Sequence, residues 1–207
     1  MPTVWDELEV LWLGWADLAD ELTARDCGVE TRLPGWTVRD VYAHVAAWPV
    51  LLEWLVGARA VDGSAGWSDA AALLRAFNQP DGLADSTAGA VADAARDAAA
   101  SYEYPGQVQE RFSQVGSAAI ETGREDPDKV VDYLGAGTIK LAEAAEIGLL
   151  EAVVHRLDVE VALDRPTTIP PSSLERVSRL LWSMTDPILF IEAATGRGEA
   201  STMAILR

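Results

Sequence analysis

The chain has 207 residues, 49% of them hydrophobic, which is enough for one domain with a real core and too few for a second full one. Thirty-three acidic against sixteen basic residues give a formal charge of -17, which repels phosphate backbones and anionic lipid, so neither nucleic acid nor a membrane surface is an expected partner. No apolar run approaches the roughly 20 residues of a transmembrane helix, and Asp6, Glu7 and Glu9 stand where a leader would be basic, so a cytoplasmic location is expected.

The first predicted helix covers 4–25, where Val4, Leu8, Leu11, Trp15, Leu18 and Leu22 recur at four- and three-residue spacing and make one continuous seam. Trp5 and Trp12 widen it as core or pocket wall. Cys27, the sole cysteine, excludes an intrachain disulfide and has no neighbouring cation to activate it.

Leu33-Pro34-Gly35 breaks the chain, and a second helix is predicted over 37–56. Thr37 is its expected N-cap with Asp40 three residues on, a capping box with Asp in place of Glu, and Trp36 and Val41 occupy the positions of a hydrophobic staple. His44 follows on the stripe Val41, His44, Trp48, Leu51, Leu55, and Pro49 is expected to bend the helix just beyond it. Residues 57–69 read as a surface loop, with a short helix over 68–77 after it. An alanine-rich third long helix is predicted over 86–118, interrupted near Pro105-Gly106, with a polar turn over 121–128. The fourth runs over 138–163 and a fifth over 172–186, opened by Ser172 and Glu175 as a second capping box, with Leu174, Val177, Leu181, Met184 and Ile188 as its apolar stripe. Residues 194–207 give no clear signal. Four apolar stripes of helical period predict an all-α four-helix bundle, residues 1–164, with 165–207 as a short extension packed on it.

The fourth helix carries two faces. Leu150, Val153, Val154, Leu157 and Val161 form an ordinary apolar one, while Ala144, Gly148, Glu151, His155 and Asp158 form a second that is small at one end and polar at the other. A buried carboxylate and imidazole need a partner, and a metal ion satisfies both. The chain has only two histidines, and His44 also lies on an inward stripe. His44, Glu151 and His155 therefore make a two-histidine, one-carboxylate set that leaves a coordination position open, suited to zinc and also to non-haem iron or another divalent metal. The same spacing fits an exposed Glu151–His155 ion pair with His44 merely packing. Asp158 reads either as a residue that orients an imidazole or pairs with Arg39, or as a solvated surface charge.

Leu33-Pro34-Gly35-Trp36-Thr37-Val38-Arg39-Asp40-Val41-Tyr42-Ala43-His44 resembles the first signature of the mycothiol-dependent maleylpyruvate isomerase family, a branch of the DinB-like metal-binding four-helix bundles, and Glu151-Ala152-Val153-Val154-His155-Arg156-Leu157-Asp158 resembles its second. The likeness covers about residues 4–164. It implies that His44, Glu151 and His155 bind zinc, with mycothiol as co-substrate. Fourteen arginines against two lysines, the mark of a GC-rich genome, agree with a bacterium that uses that thiol. The expected function is a zinc-dependent, mycothiol-using transferase or isomerase acting on a small electrophilic molecule, as a monomer or homodimer. The alternatives are a non-catalytic metal- or ligand-binding bundle, such as a sensor or regulatory partner, and a metal-dependent hydrolase.

Overall fold

The computed structural model describes residues 2–80 and 82–197. The fold is all-α, a DinB-like bundle carrying one small hairpin. Helix α1 (Val4–Glu21) opens on a reciprocal Thr3–Asp6 capping box and buries its whole expected seam together with Trp5 and Trp12. It ends four residues earlier than the apolar spacing implies, because Thr23 and Asp26 form a second capping box that starts the separate turn α2 (Ala24–Cys27). Cys27 is buried, and that burial raises its thiol above the ordinary range, as expected of an inert cysteine.

The predicted helix over 37–56 is two helices, α3 (Val38–Val45) and α4 (Trp48–Gly57). Thr37 and Asp40 form the expected box at the start of α3. The break falls at Ala46-Ala47 because Pro49, which lacks an N–H, sits in the first turn of α4, where none is needed. After the loop comes α5 (Ala70–Phe77), capped by Asp69, then α6 (Leu83–Ala100).

The third arm of the bundle differs most from expectation. Helix α6 stops well short of 118 and packs on the outside of α3, burying Ala95 and Ala99 while Val91 stays exposed. A 3-10 turn (Pro105–Val108) follows, and the arm that packs against α1 and α4 is a π-helical segment, Arg111–Gly116, running into α7 (Ser117–Glu125). The expected polar turn over 121–128 is therefore mostly helix. Gly116 and Gly123 let this arm approach α1: a Cβ on either would lie 2.6 Å from the Trp12 ring or 2.4 Å from the Trp5 ring.

A hairpin missing from the sequence reading joins α7 to the last bundle helix. Strands β1 (Val130–Asp132) and β2 (Thr138–Lys140) pair antiparallel, with Val131 opposite Ile139 and both fully buried. Its turn needs Gly137, whose φ is 117° and whose backbone lies under the Trp67 indole. Because Thr138–Lys140 is strand, α8 (Leu141–Ala162) begins three residues later than predicted.

Helix α8 is the central element, packed against α1, α3, α4, α5 and α9. It is buried on most of its circumference, so the expected apolar stripe is only part of the covered surface, and its last member, Val161, is 59% exposed. Trp15 ties α1 to it by donating from Nε1 to the Ala152 carbonyl at 3.1 Å, and the same ring stacks on Phe112 and meets Tyr42 edge-on. Helices α9 (Pro171–Met184) and α10 (Pro187–Ala194) follow. Pro170, not Ser172, precedes the first turn of α9, without a side-chain cap, because Pro171 already fixes the entry backbone. Of the expected stripe Val177 is buried, and Ile188 is exposed because it belongs to α10. The last ten residues of the expected extension, 198–207, lie outside the described residues.

Candidate metal centre

Helices α3 and α8 pack together, and His44, in the second turn of α3, faces Glu151 and His155, one turn apart on α8. His44 Nε2 lies 3.3 Å from Glu151 Oε2 and His155 Nε2 lies 3.4 Å from the same oxygen. The imidazole rings meet edge to face with centroids 5.0 Å apart. One donor atom from each of the three residues falls within 4.8 Å of the other two. Zinc ligands at about 2.0–2.2 Å in a tetrahedral arrangement stand about 3.4 Å from one another, which the two histidine–carboxylate distances match. Side-chain exposures of 20%, 23% and 15% for His44, Glu151 and His155 leave the cluster within reach of a small molecule.

The electrostatics follow from this packing. Burial alone would raise the Glu151 carboxyl, but hydrogen bonds from His155 and His44, with their charge, outweigh it and hold it at about 2. Burial pulls His155 down, yet its bonds to Asp158 and Glu151 and their negative charges push it up to about 9. Asp158 is opposed by burial too, and His155 and Arg32 together hold it below the usual carboxylate range.

Asp158 lies on the same side of α8 as His155, its Oδ2 2.9 Å from His155 Nδ1. An ionised carboxylate only accepts, so Nδ1 carries a proton and Nε2 is the nitrogen that faces the cluster. The cation that pairs with Asp158 is Arg32, at 2.6 Å, and not the expected Arg39. Arg39 precedes His44 by five residues, about 140° around an α-helix, and its guanidinium stacks instead over the Tyr102 ring at 5.4 Å.

Further neighbours were not among the expected site residues. Trp36, read there as a staple residue, also meets His44 edge-on with centroids 5.6 Å apart. Tyr133, from the turn of the hairpin, is buried near Glu151, and that burial together with the Glu151 charge raises its hydroxyl far above the ordinary range. One turn along α8 from Glu151, at Gly148, a small apolar cleft with room for about one water is lined by Leu8, Trp12, Trp48, Leu52, Ala144 and neighbouring residues. Gly148 forms its floor: a Cβ there would meet Trp48 at 3.7 Å and Leu8 at 4.0 Å.

No helix among the described residues is long and apolar enough to cross a membrane. No curated protein and no solved structure matches the chain significantly. The family model of the mycothiol maleylpyruvate isomerase N-terminal domain matches residues 8–160. That span is most of the chain and includes His44, Glu151 and His155, so the protein belongs to the mycothiol maleylpyruvate isomerase N-terminal domain family.

Proposed function

We propose that the protein is a zinc-dependent, mycothiol-using transferase or isomerase that acts on a small electrophilic molecule, with His44, Glu151 and His155 as the metal ligands. The observation that carries this reading is the convergence of two imidazole Nε2 atoms and one carboxylate oxygen from two helices at metal-ligand spacing. Bound there, the metal would supply positive charge and an open position, which favour a thiolate over a thiol near neutral pH.

The chain's own residues divide the remaining work. Asp158 keeps a proton on His155 Nδ1, which leaves Nε2 directed at the cluster. Glu151, held ionised, balances part of the metal's charge. Residues 1–164 form the metal-binding unit in this reading, and α9 of the extension packs on it.

Elemental analysis of purified protein, followed by titration with mycothiol, tests the proposal. One zinc per chain with saturable thiol binding supports it. Stoichiometric metal without thiol binding rejects the thiol chemistry and favours the binding module or a hydrolase.

A further inference from the structure

We infer that the loop between α2 and α3 is the positioning device of the metal centre, and that Arg32 on this loop sets the orientation of His155 through Asp158. The inference rests on the metal reading given above, and goes beyond it by assigning a role to a residue outside the ligand set.

The loop is internally braced. The Thr31 amide and hydroxyl both donate to the Trp36 carbonyl, at 2.9 and 3.0 Å, and the Leu33 amide returns to the Thr31 hydroxyl at 3.2 Å. Gly35 closes the turn at φ 76°, a left-handed conformation that other residues adopt only with strain. Below the turn, Glu30 and Thr37 form an isolated antiparallel bridge, and Thr37 then caps the helix that carries His44. A short hairpin of this kind has few internal freedoms, so the side chains it presents are held relative to α3.

Two of those side chains reach the two imidazoles. Trp36 packs its ring edge-on against His44. Arg32 crosses to α8 and donates from Nε to Asp158 Oδ1 at 2.6 Å, while the other oxygen of the same carboxylate accepts from His155 Nδ1 at 2.9 Å. Asp158 is thereby fixed from both sides: its side chain is 2% exposed, and with one oxygen committed to each partner the carboxylate plane has little freedom to rotate. Among the described residues Arg32 makes no other hydrogen bond, so its terminal amino groups do not tie it to any third element. With a side chain 52% exposed, Arg32 buries little apolar surface of its own. Its contribution is the bond to Asp158, and through Asp158 the tilt of the His155 ring.

A double-mutant cycle on zinc affinity separates this role from a general structural one. Zinc dissociation constants are measured by competition with a chromophoric chelator for wild type, Arg32→Ala, Arg32→Lys, Asp158→Asn and the Arg32→Ala/Asp158→Asn double variant. Loss of an outer partner of a metal-bound histidine weakens affinity by about 10- to 100-fold, and about 10-fold is expected for Arg32→Ala, with partial recovery in Arg32→Lys. In the Asp158→Asn background the same Arg32→Ala change should cost less than about twofold, because the path it acts through is already cut. The inference is overturned if Arg32→Ala binds zinc within about twofold of wild type, or if its cost is undiminished in the Asp158→Asn background. A metal-free readout keeps it testable independently of the metal: in long-range proton–nitrogen spectra of the apoprotein, Arg32→Ala should shift or broaden the His155 Nδ1 proton signal. An unchanged signal overturns the inference. Wild-type protein that binds no zinc contradicts the metal reading itself, which distinguishes the two failures.

Discussion

His155 Nδ1 and Asp158 Oδ2 stand 2.9 Å apart, and this bond decides which ring nitrogen faces His44 and Glu151. If the site binds zinc, the same bond couples that binding to proton release. His155 is raised from an ordinary 6.5 to about 9, so in the metal-free protein its stabilising contribution is complete below pH 6.5 and disappears as pH rises through about 9. Glu151 runs the other way: lowered from 4.5 to about 2, it stabilises above pH 4.5 and loses that contribution as pH falls through about 2. Zinc must displace the Nε2 proton of His155, so zinc affinity should rise about tenfold per pH unit up to about pH 9 and then level off. Calorimetric titration at pH 7 in buffers of different ionisation enthalpy should report about one proton released per zinc bound. A pH-independent affinity between pH 6 and 8 would show that His155 is already neutral in the metal-free protein.

Substitution separates the ligands from their support. His155→Ala should abolish stoichiometric zinc while the helical content survives, because the seams of α1 and α8 do not depend on that ring. Asp158→Asn should keep zinc with an affinity lower by about 10- to 100-fold. Equal metal content and affinity in the two variants would mean that Asp158 and His155 do not have the different roles assigned to them.

Arg156, next in sequence to His155 and about 100° around the helix from it, ties the fold together away from the cluster. It is buried over the Trp15 ring and donates to Glu160, to the Gly14 carbonyl and to Thr168, joining α1, α8 and the segment leading to α9. Arg156→Ala would leave Glu160 with its charge buried, and removing one partner of such a pair costs about 3–5 kcal/mol. Urea denaturation should show that loss, with zinc affinity of the folded protein unchanged.

Gly148 sits in the middle of α8, where glycine is less favourable than alanine by about 1 kcal/mol. An added Cβ would make only ordinary contacts with Trp48 and Leu8, so Gly148→Ala should raise stability by about 0.5–1 kcal/mol and leave zinc binding intact. A destabilised variant would show that the floor of the cleft is already full.

The convergence of His44, Glu151 and His155 was legible because it obeys helical spacing. Glu151 and His155 share a face through their four-residue separation, and the Thr37–Asp40 box sets the register that turns His44 inward. Pro49 announced the break between α3 and α4. Arg32 was not legible, since it reaches Asp158 across 126 residues from a turn with no periodicity, and Arg39 was the nearer candidate only along the chain. The hairpin was hidden by the brevity of its strands, three residues each, too short for alternation to stand out beside the long apolar stripes. The third arm was misplaced because alanine-rich 86–102 has strong helix propensity, whereas the 111–125 segment that enters the bundle mixes Gly, Ser and Thr among its apolar residues. Tertiary packing against Trp5 and Trp12 selects that segment, which local propensity does not report.

Whether His44, Glu151 and His155 hold a catalytic metal is decided by metal stoichiometry. Purified wild-type protein, stripped with chelator, reloaded with zinc and desalted, should retain one zinc per chain by elemental analysis, and the His155→Ala variant should retain none. Wild-type protein that holds no stoichiometric zinc after reloading would contradict the account.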